Sequence, residues 1–238
     1  MKIIYIILFC LFLFLLVFLY ILVINKENQL NHMKENSKIE ISLPEIKKES
    51  QTSVEEALLN RRSYRSFLEK ELSISQISQL LWSAYGITEV ESGFKTTPSA
   101  GALYPLEIYI VINQENKDLD KGVYKYNNKN HKLFKLKSNS IKEELTQAAL
   151  GQDSILQAPV VLVIAGDYQI STSRYGDRGH RYVYMEAGHA AQNVYLQVVS
   201  LNLGTVVIGA FDDEKVKNLL NLKENEEVFY LMPIGEIY

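Results

Sequence analysis

The chain has almost no cysteine: Cys10 alone in 238 residues. A single thiol excludes an intramolecular disulfide and any cysteine-based metal cluster. Basic excess is also missing. Lys and Arg number 25 against 28 Asp and Glu, for a net charge of −3. A nucleic-acid binder usually carries the opposite balance, so none is expected as a partner. Neither phosphate-loop pattern occurs, G-x-x-x-x-G-K or G-x-G-x-x-G, and there is no G-x-S-x-G nucleophile elbow. The histidines, His32, His131, His180 and His189, show no ligand spacing. Glu186 and His189 form one Glu-x-x-His, but a di-iron bundle needs two such motifs and two further Glu-bearing helices. No metal site is expected.

What the sequence does have begins with an apolar run. Residues 3–24 contain no charged side chain. About 20 apolar helical residues cross a bilayer, whereas a cleavable signal has an apolar core of about 7–15 and small residues at its cut site. Residues 20–26 (YILVINK) offer no small residue to cut beside. The run therefore reads as an uncleaved single-pass anchor. Lysines stand on both sides of it, so the positive-inside rule barely orients it. Without it the remaining chain is roughly 42 % apolar, a normal globular composition. Residues 25–50 are rich in Asn, Lys, Glu and Ser and read as a polar linker. Residues 51–238 read as one domain with one core.

Within that domain, residues 54–59 predict a short helix running into Arg61. Ser73 predicts an N-cap, with Ile74, Ile77, Leu80, Leu81 and Ala84 at helical spacing behind it and Gly86 as the stop. Residues 106–113 (LEIYIVIN) predict a strand, and residues 123–126 and 132–137 a hairpin. Residues 141–150 predict a helix. The continuous apolar run 159–165 (PVVLVIA) predicts a strand buried on both faces. A long helix is expected within 179–201, a buried strand over 205–211, a short helix over 213–220 and a last strand over 228–234.

Four stretches carry chemical meaning. Arg61, Arg62 and Arg65 put three guanidiniums around Ser63 within five residues. Arginine pairs bidentately with phosphate and stays charged at any working pH. A solvated helix end, favoured by the C-terminal dipole, accounts for them equally well. Pro98, Ser99, Ala100, Gly101 and Ala102 are small residues that let a backbone approach something flat while offering N–H and hydroxyl donors. In the long helix, Ala187, Gly188, Ala190 and Ala191 make one side thin, for close packing or for a ligand. Gly209 and Ala210 close the expected strand 205–211, and strand ends are where sheets with helices on their faces place ligands.

In this order the stretches resemble the nitroreductase superfamily of flavin enzymes, and within it the SagB/ThcOx-type dehydrogenases. The resemblance rests on RRSYRSF (61–67), LSISQISQLLWSAYGIT (72–88), TTPSAGALYPLEIYIVI (96–112), GVYKY (122–126), RYGDRGHRYVYMEAGHAAQN (174–193), LGTVVIGAFDD (203–213) and MPIG (232–235). It implies an α+β fold, a central mixed sheet flanked by helices. It also implies FMN held between two like subunits, with NADH or NADPH as a possible reductant. Arg61, Arg62, Ser63 and Arg65 then match the phosphate and ribityl contacts. Residues 98–102 match the segment against the isoalloxazine ring, contributed by the partner subunit. Gly209 and Ala210 match the strand exit beside the reactive N5.

Because flavin performs the hydride chemistry, no protein nucleophile is required. The implied activity is two-electron hydride transfer on a small-molecule or peptide substrate. The azoline-oxidising members carry a Lys-Tyr pair where this chain has Arg174 and Tyr175. Arginine cannot serve as a general base, which tilts the reading from azoline oxidation toward a general reductase or dehydrogenase. A non-catalytic flavin-binding scaffold at the membrane is a further alternative. The family's basic residue beyond the last strand has no counterpart before Tyr238, which leaves the phosphate to the arginines at 61–65. Since FMN and nicotinamides are cytoplasmic products, the domain is expected on the cytoplasmic face.

Overall fold

The computed structural model describes residues 39–238. The expected anchor, residues 3–24, lies outside them. Among the described residues no helix is long and apolar enough to cross a membrane. In chain order the elements are β1 (Glu40–Ser42), α1 (Val54–Asn60), α2 (Ile74–Tyr85), the small hairpin β2 (Ile87–Glu89) and β3 (Phe94–Lys95), and a 3-10 turn (Ala100–Ala102). There follow β4 (Leu106–Ile112), β5 (Gly122–Asn127), β6 (Lys132–Lys137), α3 (Lys142–Ala148), α4 (Asp153–Gln157) and β7 (Val160–Gly166). The chain ends with α5 (Tyr168–Tyr175), α6 (Arg178–Ser200), β8 (Leu203–Thr205), α7 (Asp213–Leu220) and β9 (Glu227–Glu236).

The main sheet has seven strands in the order β1-β6-β5-β4-β7-β9-β8. Every ladder in it is antiparallel. The expectation of a mixed sheet is thus corrected: the parallel element is an isolated bridge between Ser63 and Thr205. The continuous apolar runs of β4 and β7 mimic parallel strands because both faces of the sheet are covered. Side chains alternate, so Ile108, Ile110, Leu162 and Ile164 join Leu80 and Leu81 of α2 and Val183 and Val194 of α6 in one core. Tyr109, Val111, Val161 and Val163 join Leu145, Ile155, Val216 and Leu220 of α3, α4 and α7 in the other. Truncating a fully buried leucine such as Leu80 to alanine costs about 2–5 kcal/mol.

Helix α2 begins and ends where the sequence marks it. Ser73 and Gln76 form a capping box, and Gly86 takes the C-cap. The expected strand over 205–211 is corrected too. β8 stops at Thr205, and beyond it Ile208 makes only an isolated bridge to Leu231. The register carries on from Thr205–Ile234 to Ile208–Leu231, but opposite Val206 stands Pro233, which has no N–H to give, so the ladder is interrupted there. The Val207 N–H faces away from β9 and donates to the Tyr195 hydroxyl at 3.0 Å. Part of the polar stretch 25–50 is packed on the domain. β1 pairs with β6, the Ser78 hydroxyl donates to the Pro44 carbonyl at 2.7 Å, and the Lys47 N–H donates to Gln79 at 2.8 Å.

Candidate functional site

The geometry of the site follows from the angular spacing of α6. At 3.6 residues per turn, Glu186, Asn193 and Gln197 fall on one face, and Tyr184 and Tyr195 fall on the opposite one.

On the first face lies the small-residue segment. The Asn193 side-chain amide donates to the Thr96 carbonyl and to the Thr97 hydroxyl, both at 3.1 Å. Ser99 accepts from the Tyr104 N–H at 2.9 Å. Between them the backbone turns left-handed at Gly101 (φ 63°), Ala102 (φ 53°) and Tyr104 (φ 53°). L-residues rarely adopt that region, so the segment persists only because its surroundings hold it. Glu186, 2 % exposed, accepts from the Tyr85 hydroxyl at 2.6 Å, and that hydroxyl in turn accepts from the Leu106 N–H. The Lys95 ammonium sits 3.8 Å from the Tyr85 ring centroid and 4.8 Å from that of Tyr104. Burial pushes the Glu186 carboxyl up, against the Ser99 and Tyr85 hydroxyls and the Lys95 charge. Burial also pulls Lys95 down to about 8, against the charges of Glu107 and Glu186. Desolvation outweighs mutual attraction for both groups.

Arg174 and Tyr175, at the end of α5, lie on this same segment. Arg174 reaches the Gly101 carbonyl at 3.4 Å, and a Cβ at Gly101 would meet the Tyr175 hydroxyl oxygen at 2.5 Å. A side chain there would have to push the Tyr175 hydroxyl aside and carry the strain of the left-handed backbone. Tyr175 packs edge-on against Tyr182 at 5.1 Å.

On the opposite face stands the arginine stretch. The Arg61 guanidinium lies 5.1 Å from the Tyr195 ring centroid, and Ser63 hydrogen-bonds the Tyr195 hydroxyl at 2.9 Å. Tyr64 donates its N–H to the Thr205 carbonyl at 2.9 Å, fixing residues 61–65 along the end of β8. Arg65 is exposed. Arg62 turns inward on its own helix, donating to the carbonyls of Leu59 and Arg61 at 3.0 and 2.8 Å, so it caps α1. Gly209 and Ala210 follow two residues beyond Val207, both exposed, and nothing stands nearer than 3.7 Å to where a Gly209 Cβ would be.

The structure thus brings Arg61, Ser63, Gly209 and Ala210 to one side of α6. It brings Pro98, Ser99, Ala100, Gly101, Ala102, Arg174 and Tyr175 to the other. One chain does not close the two halves on each other. The first half fits one end of a flat, phosphate-bearing group: Arg61, Arg65 and the Ser63 hydroxyl suit a phosphate, and the open edge at Gly209 admits a planar ring.

The Tyr85–Glu186–Lys95 cluster was not singled out from sequence, where Glu186 figured only in a rejected metal motif. A signal existed. Glu186 sits among Val183, Ala187 and Ala190 on the buried stripe of α6, and a carboxylate there needs partners. Its motif companion His189 is exposed.

Residues 58–236 match the nitroreductase family, and the chain belongs to it. Proteins of this family are generally flavin-dependent oxidoreductases. The chain is 46 % identical over 197 residues to MJ1384 of Methanocaldococcus jannaschii, assigned by name to the nitroreductases, covering 83 % of this chain and 96 % of that one. It is 28 % identical over 158 residues to the microcin B17-processing protein McbC of Escherichia coli, covering 65 % of this chain and 58 % of that relative. A crystal structure from Ralstonia eutropha, also named as a nitroreductase, superimposes with a TM-score of 0.74 at 26 % identity, covering 84 % of this chain and 90 % of that one.

Proposed function

We propose that this protein is an FMN-dependent oxidoreductase that moves two electrons as hydride between a donor and an acceptor, working as a homodimer. The donor is NADH, NADPH or a bound substrate. The observation that carries the reading is the division of the site across α6. A phosphate-type clamp with an open strand edge occupies one face, and a rigid small-residue platform occupies the other. Two copies, each lending its platform to the other's clamp, make a complete slot.

In that slot Arg61, Ser63 and Arg65 hold the phosphate, and Tyr195 orients Ser63. The edge at Gly209 and Ala210 sets the depth of the ring, and residues 98–102 of the second copy cover it. FMN, when bound, supplies the hydride acceptor and donor. The chain's residues position the reactants and exclude water. The Tyr175 hydroxyl lies beside the platform, and the Arg174 guanidinium stands there as a fixed positive charge. Residues 3–24 are proposed as an anchor that keeps the domain at the cytoplasmic face of a membrane.

A second reading is azoline oxidation on a modified peptide, the activity implied by the SagB/ThcOx resemblance. The similarity to a microcin-processing protein favours it, and Arg174 in place of lysine weighs against it.

The test is a visible absorption spectrum of the purified full chain. Bands near about 375 and 450 nm that bleach under anaerobic NADH or NADPH are expected for a reductase. Bands that persist point to a dehydrogenase reduced by its own substrate. A colourless protein that takes up no added FMN overturns the enzyme reading and favours the scaffold.

A further inference from the structure

A cleft of about 490 Å³ opens beside Gly209, on the clamp side of α6. Its volume lies in the range of small-molecule sites. Three rings form its wall as a triangle: Tyr168 to Tyr184 at 5.6 Å, Tyr168 to Phe229 at 5.3 Å, and Tyr184 to Phe229 at 5.8 Å between centroids. All three pairs are edge-to-face, with Tyr168 and Phe229 largely covered and Tyr184 58 % exposed, so Tyr184 offers most of the open ring surface and the other two back it. His180 lies tilted against Tyr168, 4.6 Å between ring centroids.

The charge around these rings is one-sided. Asp213, Glu214 and Glu227 line the cleft against Lys217 alone. The Lys217 ammonium is already committed to the Glu224 carbonyl at 2.6 Å. The negative charges of Glu227 and Asp213 act on Tyr168, whose hydroxyl is pushed well up by burial first and then by Tyr184 and these carboxylates. Ring faces attract cations through their quadrupole, and carboxylates at the rim add to that attraction. An anion here would meet both unfavourably. The pyrophosphate of a nicotinamide dinucleotide is therefore a poor occupant of this cleft.

We propose that the cleft beside Gly209 binds an organic cation, and that the substrate of the oxidoreductase carries an amine, guanidinium or quaternary ammonium group seated among Tyr168, Tyr184 and Phe229. The second half rests on the oxidoreductase reading, which puts the reacting centre at the Gly209 edge. The first half does not.

The experiment uses the full chain in a non-ionic detergent, labelled with 3-fluorotyrosine and followed by ¹⁹F NMR, with Tyr168 and Tyr184 assigned by replacement with phenylalanine. Benzyltrimethylammonium, benzyl alcohol and phenylacetate are the probes, cationic, neutral and anionic on one aromatic frame. Saturable shifts at Tyr168 and Tyr184 are expected with the cation, with a dissociation constant at least about tenfold below that of benzyl alcohol. Phenylacetate is expected to bind more weakly still. In the double variant Asp213→Asn, Glu227→Gln, both rim positions, the preference should shrink while benzyl alcohol binding stays.

Equal affinity for the three probes overturns the proposal. So does a cation response confined to other tyrosines, or a preference unmoved in the double variant. The absorption spectrum of the same sample separates the two readings. A colourless protein that prefers the cation keeps the cleft and removes the oxidoreductase. A yellow protein without the preference keeps the oxidoreductase and removes the cleft.

Discussion

On one face of α6, Asn193 holds Thr96 and Thr97 at the start of the platform, and Glu186 holds the Tyr85 hydroxyl that takes the Leu106 N–H just past its end, through buried or half-buried hydrogen bonds. On the opposite face Tyr195 reaches out with one hydroxyl to Ser63 and Val207, and beside it the chain runs exposed through Gly209 and Ala210. The first face spends polar burial to fix a backbone that would not keep its own shape. Left-handed residues such as Ala102 and Tyr104 cost about 1 kcal/mol or more each, and the network offsets that. The second face keeps its backbone thin and its surface open. A platform has to be rigid, whereas a slot has to leave room. One helix supplies both because its two faces meet different partners.

The sharpest break in this contrast is Glu186→Ala. It leaves the Tyr85 hydroxyl buried with one partner fewer and removes the charge that faces Lys95. A loss of about 3 kcal/mol is expected in denaturant unfolding, since breaking a buried network is among the costliest single changes. A substitution of an exposed residue of the same helix, His189→Ala, should stay within about 0.5 kcal/mol. If both variants lose equally little, the platform is not held by this network.

The same face should also carry a pH signature that the other lacks. Lys95 is held at about 8 in the fold, below the ordinary lysine value of 10.5. Between these two values the unfolded chain binds a proton that the folded chain does not, so stability rises with pH across that window. Below about 8 both states are protonated and the full penalty of the buried ammonium is present. The gain from pH 8 to 10 is expected at about 1–2 kcal/mol, isolated as the difference between the native chain and Lys95→Met in urea titrations. A flat difference would mean that water reaches Lys95 and that the platform side is as open as the slot.

How legible these faces were in the sequence differs by element. The long helix, both main sheet strands and the hairpin announced themselves through periodicity and turn residues, and Ser73 and Gly86 marked the ends of α2. Arg174, Tyr175 and residues 98–102 were picked from separate stretches, and the fold sets them against each other. Three things stayed hidden for physical reasons. Helix α5 (YQISTSRY) carries no apolar stripe and is held by its Asp167 cap and by packing on α6. β1 is three residues long and exists only by pairing with β6, a long-range contact that local composition cannot report. The segment 205–211 has the composition of a strand, but its ladder partner at Val206 is Pro233, distant in sequence and without an N–H, so the pairing lapses before the bridge at Ile208. The inward turn of Arg62 onto the end of α1 was likewise invisible, because three neighbouring arginines look alike until the helix end claims one of them.

The Tyr195 hydroxyl gives the smallest and most selective test of the slot side. Tyr195→Phe keeps the ring under Arg61 and removes only the oxygen shared by Ser63 and Val207. Ser63 is exposed and can turn to water, while the half-buried Val207 N–H loses its acceptor. About 1 kcal/mol of stability should be lost, the ordinary net value of such a bond. If Ser63 serves the phosphate, its loss of orientation should also weaken FMN retention by several-fold, read as the dissociation constant from quenching of flavin fluorescence. Arg62→Ala, which touches the same stretch but points into the helix end, should leave FMN retention unchanged. Equal effects of the two variants on FMN would mean that the whole arginine stretch acts as one diffuse charge, rather than as a clamp with Ser63 and Tyr195 at its centre.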